Sequence, residues 1–226
     1  MVNRKTSTLN FYLRNQISPE AWVHNLVRLF IFGLLVFECL NILKVLNYSP
    51  QFTWRGLLST SIITFIILEV IAYLYYKKKD NKSLHSSVWI LTFIAIFLDF
   101  IADVFHFYAR FDWWDQALHF TSSNLICFII FVIISAFWLD KFQFKLMHKL
   151  TRLRFAIYIS SVSALALGAL YEVEEYSEDL IYGTQRSGLG TDTANDLMFN
   201  FLGILVMSLS LWVILSRAKR KSTLLK

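Results

Sequence analysis

About six runs of predominantly apolar sequence organise this chain, each close to the ~20 residues that a helix needs to cross the hydrocarbon core of a bilayer. They are Leu26–Leu46, Leu57–Tyr76, Val88–Phe107, Gln116–Trp138, Phe155–Tyr176 and Asp192–Leu215. In lipid every backbone N–H and C=O must be satisfied inside the segment, so runs of this length fold as helices. Composition agrees. With 56% hydrophobic and 17% aromatic residues and only 7 Gly and 2 Pro among 226 residues, the chain is too apolar for a soluble domain of its length. The sequence predicts an all-α, polytopic membrane helix bundle. Residues 1–25 read as a cytoplasmic or interfacial segment, 26–215 as a single six-helix membrane domain with its polar core in 99–200, and 216–226 as a basic cytoplasmic tail.

Charge sets the expected orientation. Of the 22 Lys and Arg, 18 fall in the N-terminal segment through Arg28, in Lys77–Lys82, in Lys141–Arg154 or from Arg217 onward; the exceptions are Lys44, Arg55, Arg110 and Arg186. By the positive-inside rule both termini are cytoplasmic, and an even number of spans agrees. The net charge of +6 is therefore a topology signal, with attraction to anionic lipid as a by-product, and does not point to nucleic acid. Met1–Ile17 lacks the charged, then apolar, then small-residue layout of a cleaved signal peptide. Ser18-Pro19-Glu20 has the residues of a helix start. His24 fits an interfacial position better than a ligand.

Acidic residues run the other way. Eleven of the 16 Asp and Glu belong to the expected outer halves of spans three to six or to their outer loops. The stretch Asp99–His119 holds four aspartates, two histidines and an arginine where apolar sequence would otherwise continue. At 100° per residue Asp99, Asp103 and His106 share one helix face, and Asp115 and His119 repeat the i, i+4 spacing beyond a short Phe111–Trp114 connection. Glu172, Glu175 and Asp179 form a third stripe, with Glu174 and Glu178 beside it. After a Gly-rich segment holding Gly183, Gly188 and Gly190, the residues Asp192, Asp196, Asn200 and Gly203 form a fourth. Ionisable groups at membrane depth usually face a bundle interior or a wet cavity, and mark a functional site by default. Glu38 and Glu69 are single acids in spans one and two, and each must be neutralised, paired or turned inward. A structural role is expected for both.

Carboxylates at this density repel one another unless cations, protons or arginines compensate. Oxygen-rich sites with one or two histidines suit Zn²⁺, Mg²⁺, Mn²⁺ or Ca²⁺ better than a soft thiolate-seeking metal. The expected metal ligands are Asp103, His106, Asp115, His119, Glu172, Glu175, Asp192 and Asp196, with His119 or Glu175 as catalytic base. Arg110, Gln185, Arg186 and Asn200 are expected to bind substrate. No H-E-x-x-H is present, no G-x-S-x-G elbow accompanies Ser122 and Ser123, and Cys39 and Cys127 form no C-x-x-C pair. The Lys/Arg-studded segment Asp140–Arg154 is expected to lie on the inner leaflet.

The runs WWDQALHF (Trp113–Phe120), YEVEEYSEDLIYGTQ (Tyr171–Gln185) and DTANDLMFNFLG (Asp192–Gly203) resemble, in this order, the YjdF/DUF2238 bacterial inner-membrane family. More loosely they are similar to VanZ-like proteins, whose D-x-x-x-H-F and D-x-x-x-N-x-x-G elements correspond to Asp115, His119 and Phe120 and to Asp196, Asn200 and Gly203. The resemblance implies a multi-pass protein of the bacterial plasma membrane and supplies no reaction.

Three functional classes follow from the chemistry. An outer-facing carboxylate and histidine cluster that binds a divalent metal ion would act on a lipid or lipid-linked envelope substrate. A proton- or cation-coupled transporter would use the same groups, with Glu38 and Glu69 continuing the path inward. In the third class the charges only tie helices together or sense an envelope ligand.

Overall fold

In the computed structural model, residues 21–78, 84–138, 149–188 and 190–224 are described, and every regular element among them is a helix. Six of these helices are long and apolar enough to cross a membrane. The all-α class read from the apolar runs is therefore the observed one. The expected helix start at Ser18–Glu20, the turn residues 79–83 and most of Asp140–Arg154 lie outside the described residues.

The chain forms two compact units, divided at Phe100. In the first, α1 (Trp22–Ile42) and α2 (Trp54–Lys78) pack against each other and α3 begins at Ser86. The first span ends earlier than the apolar run suggests, because Lys44 adopts the left-handed conformation (φ 58°). The N–H groups of Val45 and Leu46 then return to the Leu40 carbonyl, which closes the helix end. In the loop that follows, Trp54 Nε1 donates to the Tyr48 carbonyl (3.0 Å) and Phe37 packs on both aromatic rings.

Glu38 and Glu69, the single acids of the first two spans, both find partners within this unit. Glu38 is fully buried and accepts from Ser61 Oγ (3.1 Å). Glu69 is gripped by Arg28, whose Nε and NH2 reach its two carboxylate oxygens. The guanidinium also lies over the Trp89 ring, 4.4 Å from its centroid. His24 is buried, stacks on Trp89 and meets Ser86 Oγ at 3.2 Å.

The second unit begins in the last turn of α3 (Ser86–Val104). It continues through the single-turn α4 (Phe107–Arg110) to α5 (Trp114–Trp138), α6 (Lys149–Tyr182) and α7 (Asp192–Leu224), and these last three pack pairwise. At 34 and 33 residues, α6 and α7 exceed the roughly 20 needed to span hydrocarbon. Residues 149–154, expected in a surface segment, are simply the first turns of α6, and α7 runs on into the basic tail. Small and hydroxylated residues line the contacts between these helices. Cys127, Ala164 and Ile204 form a buried cluster, and Ser161 meets Ser208 at 2.7 Å across α6 and α7. Between lipid-embedded helices there is little hydrophobic drive to associate, so close approach and interhelical hydrogen bonds do the holding.

A candidate cation site where three helices meet

His119 is the hub of the second unit. It lies about one and a half turns into α5 and is buried. Its Nε2 stands 3.5 Å from Asp115 Oδ1, one turn earlier on the same helix, and 4.0 Å from Asp196 Oδ1 on α7. Its Nδ1 faces α6, 3.6 Å from Glu172 Oε1. The i, i+4 spacings predicted from sequence are thus real helix faces, and three of the four stripes converge on one imidazole.

Helix register brings this about. Gly203 on α7 sits so close to the Phe120 carbonyl that a Cβ there would overlap it. Asn124 Nδ2 donates to the Gly203 carbonyl (3.2 Å) and Ser123 Oγ donates to Asn200 Oδ1. On the other side of Asn200, Gly168 of α6 leaves room for its amide; an added Cβ would stand 3.0 Å from it. Asp196, Asn200 and Gly203 are therefore one contact surface, facing His119, Ser123 and Phe120 in turn. Asn200 holds the helices together from a buried position.

Glu175 and Arg186 make the second layer. Arg186 Nε donates to Glu175 Oε1 (3.0 Å), its NH1 lies 3.9 Å from Glu178 Oε2, and its NH2 donates to the Tyr171 hydroxyl. The Tyr171 ring in turn meets His119 edge-on, with centroids 5.9 Å apart. Tyr171 is the member that spacing of charged residues could not reveal; it lies one turn before Glu175 and in sequence reads as an interfacial aromatic.

Arg186 reaches this position because its loop is tied down by Asp179. That carboxylate accepts from the Arg186 N–H (2.7 Å), the Ser187 N–H (3.0 Å) and both loop hydroxyls, Thr184 and Ser187. Gly183, in the left-handed region at φ 68°, ends α6 by donating to the Asp179 carbonyl. Asp179 thus shapes the loop, while Glu172, Glu175 and Glu178 are the buried acids of α6.

The remaining expected residues fall elsewhere. His106 does not continue the Asp99–Asp103 face: α3 stops at Val104 and His106 takes a left-handed conformation (φ 57°). Histidine is among the residues that tolerate this region. Asp103 is fully buried, yet neither it nor His106 belongs to the two groups of donor atoms gathered around His119. Arg110 and Gln185 are exposed, and Asp192 is half-buried in the first turn of α7.

Two groups of donor atoms fit a cation by distance. One comprises Asp115, His119 and Asp196, the other His119, Glu172 and Glu175, and in each the atoms lie within 4.8 Å of one another. Donors about 2.1 Å from a tetrahedral ion stand roughly 3.4 Å apart, close to the spacing of His119 Nε2 and Asp115. Among the described residues, Asp196 Oδ1 is buried without a hydrogen-bond partner. Such atoms ordinarily find one. Beside the first group, Trp113, Gln116, Phe120 and Thr121 face Asn195 and Phe199 of α7 across a cleft of about 510 Å³.

Residues 22–217 match a family described as "Predicted membrane protein (DUF2238)". A Thermotoga maritima protein described as uncharacterized is 27% identical over 165 residues, covering 66% of this chain and 79% of that protein. No solved structure matches. Six apolar helices and a match over nearly the whole helical region make this chain a multi-pass membrane protein belonging to the DUF2238 family.

Proposed function

We propose that the second unit holds one divalent cation between Asp115, His119 Nε2 and Asp196, and uses it on a lipid or lipid-linked substrate. The observation that carries this reading is the convergence of three donor side chains from two helices, His119 and Asp196 buried and Asp115 partly so, with Asp196 offering an oxygen that has no hydrogen-bond partner among the described residues. Glu172 supports it from behind. A carboxylate receiving the second ring N–H of a metal-bound histidine fixes the tautomer and raises the basicity of the ligand, and Glu172 faces His119 Nδ1. Three protein ligands leave a position open, the arrangement of catalytic rather than structural sites. Bound there, an ion such as Zn²⁺ or Mn²⁺ would polarise a phosphoryl or carbonyl oxygen or lower the pKa of water.

The chain's own groups fit an amphiphile. Gln116 and Asn195, the sequence neighbours of Asp115 and Asp196, open into the α5–α7 cleft together with Thr121. Phe120, Phe199 and Trp113 supply its apolar walls. Polar groups would orient a headgroup while the aromatic surface takes the hydrocarbon. The basic residues flanking the spans support an orientation with both termini cytoplasmic and the cluster on the opposite side, as in a bacterial plasma-membrane protein.

A purely electrostatic reading rests on the same distances, because a protonated His119 would satisfy the acids around it. Metal analysis of the protein purified without added chelator separates the two. Stoichiometric Zn or Mn that is lost in the His119→Ala and Asp196→Asn variants is the expected result. A metal-free wild-type protein whose thermal transition is unmoved by chelator and by added Mn²⁺ or Zn²⁺ would remove the cation from the site.

A further inference from the structure

The second donor group poses its own question. His119, Glu172 and Glu175 bring one donor atom each to within 4.8 Å of one another, and all three are buried. Glu172 is 6% exposed, and both of its oxygens are buried. Two such carboxylates beside a histidine need positive charge to coexist out of water. A second cation beside Glu172 and Glu175 would be one way to supply that charge.

The chain already places a cation on one member of this group, Glu175. Arg186 has a side chain only 3% exposed, with Nε 3.0 Å from Glu175 Oε1 and NH1 3.9 Å from Glu178 Oε2. Its other terminal nitrogen donates to Tyr171, whose ring abuts His119. The loop that carries it is fixed by four hydrogen bonds to Asp179. A guanidinium keeps its charge at all accessible pH values and forks onto carboxylates, but it offers no coordination position to substrate or water.

We propose that Arg186 is a built-in substitute for a second cation, so that the site takes a single divalent ion. This rests on the cation reading given above. It assigns the site to chemistry in which one ion activates a single oxygen, and it makes Arg186 a specificity-determining residue for ion number that positions Glu175 without touching substrate.

The test uses the full chain in lipid nanodiscs, equilibrium dialysis against Mn²⁺, and metal analysis per chain. The expected result is a single Mn²⁺ in the wild type and in Arg186→Lys, and a second Mn²⁺ in Arg186→Gln, lost again in Arg186→Gln/Glu175→Gln. A folded Arg186→Gln protein that still binds one ion overturns the proposal and leaves the cation site standing. A wild type that binds none overturns both. Should Arg186→Gln fail to fold without metal, the proposal requires Mn²⁺ to restore its thermal transition, and failure of that rescue counts against it.

Discussion

The two units bury acids in opposite ways. In the first, Glu69 has a fitted guanidinium that itself lies over Trp89, and Glu38 has a serine hydroxyl on one of its two oxygens. In the second, Asp115, Glu172 and Asp196 crowd a single imidazole, and the nearest arginine is committed to Glu175 and Glu178. The contrast teaches that a membrane-embedded carboxylate is not in itself a sign of chemistry. What separates a fastening from a site is whether several groups from different helices aim at one point.

Five substitutions test that contrast, taken in order of expected effect. His119→Ala should reduce bound metal to the level of a mock preparation, whereas Glu69→Gln should leave metal content unchanged; equal losses in the two variants would erase the distinction between the units. Glu172→Gln should keep the ion but weaken its binding about 10–100-fold, the usual cost of losing a carboxylate behind a histidine ligand. A dissociation constant equal to wild type would remove Glu172 from the site.

Gly203→Ala should destabilise the second unit by about 1–3 kcal/mol, since overpacking at a helix contact forces the backbones apart. Unfolding by denaturant in mixed micelles measures it, and metal binding should fall in parallel because Asp196 is carried away from His119. Glu38→Gln is expected to be the mildest. An amide can still accept from Ser61, and a single neutral hydrogen bond contributes about 1 kcal/mol, so a change larger than that in the same assay would mean that Glu38 does more than pair.

Much of this was legible in the sequence, for definite reasons. Six spans followed from length and hydropathy because lipid leaves the backbone little choice. Asp115 with His119, and Asp196 with Asn200 and Gly203, could be read as faces because α5 and α7 are regular across them. The His106 stripe failed where regularity failed, at a left-handed residue that no periodicity announces. The partners of Glu69 and Glu175 were hidden for another reason. Arg28 lies 41 residues from Glu69, and Arg186 joins Glu175 through a loop whose path is set by Asp179. Neither helical spacing nor charge counting reports such pairings, and the same blindness hid Tyr171, whose hydroxyl matters only once the loop has folded back.

The contact between Gly203 and the Phe120 carbonyl has a bearing on how this family can vary. A residue without a side chain acts there as a gauge block: it sets the spacing of two rods and, through it, the separation of Asp196 from His119 two turns away. Any larger residue at that point would open the gap along the whole seam. Evolution could then retune the acids and the loop freely while this one bare position stayed put, which makes it the cheapest place to look when deciding whether a distant relative has kept the same working geometry.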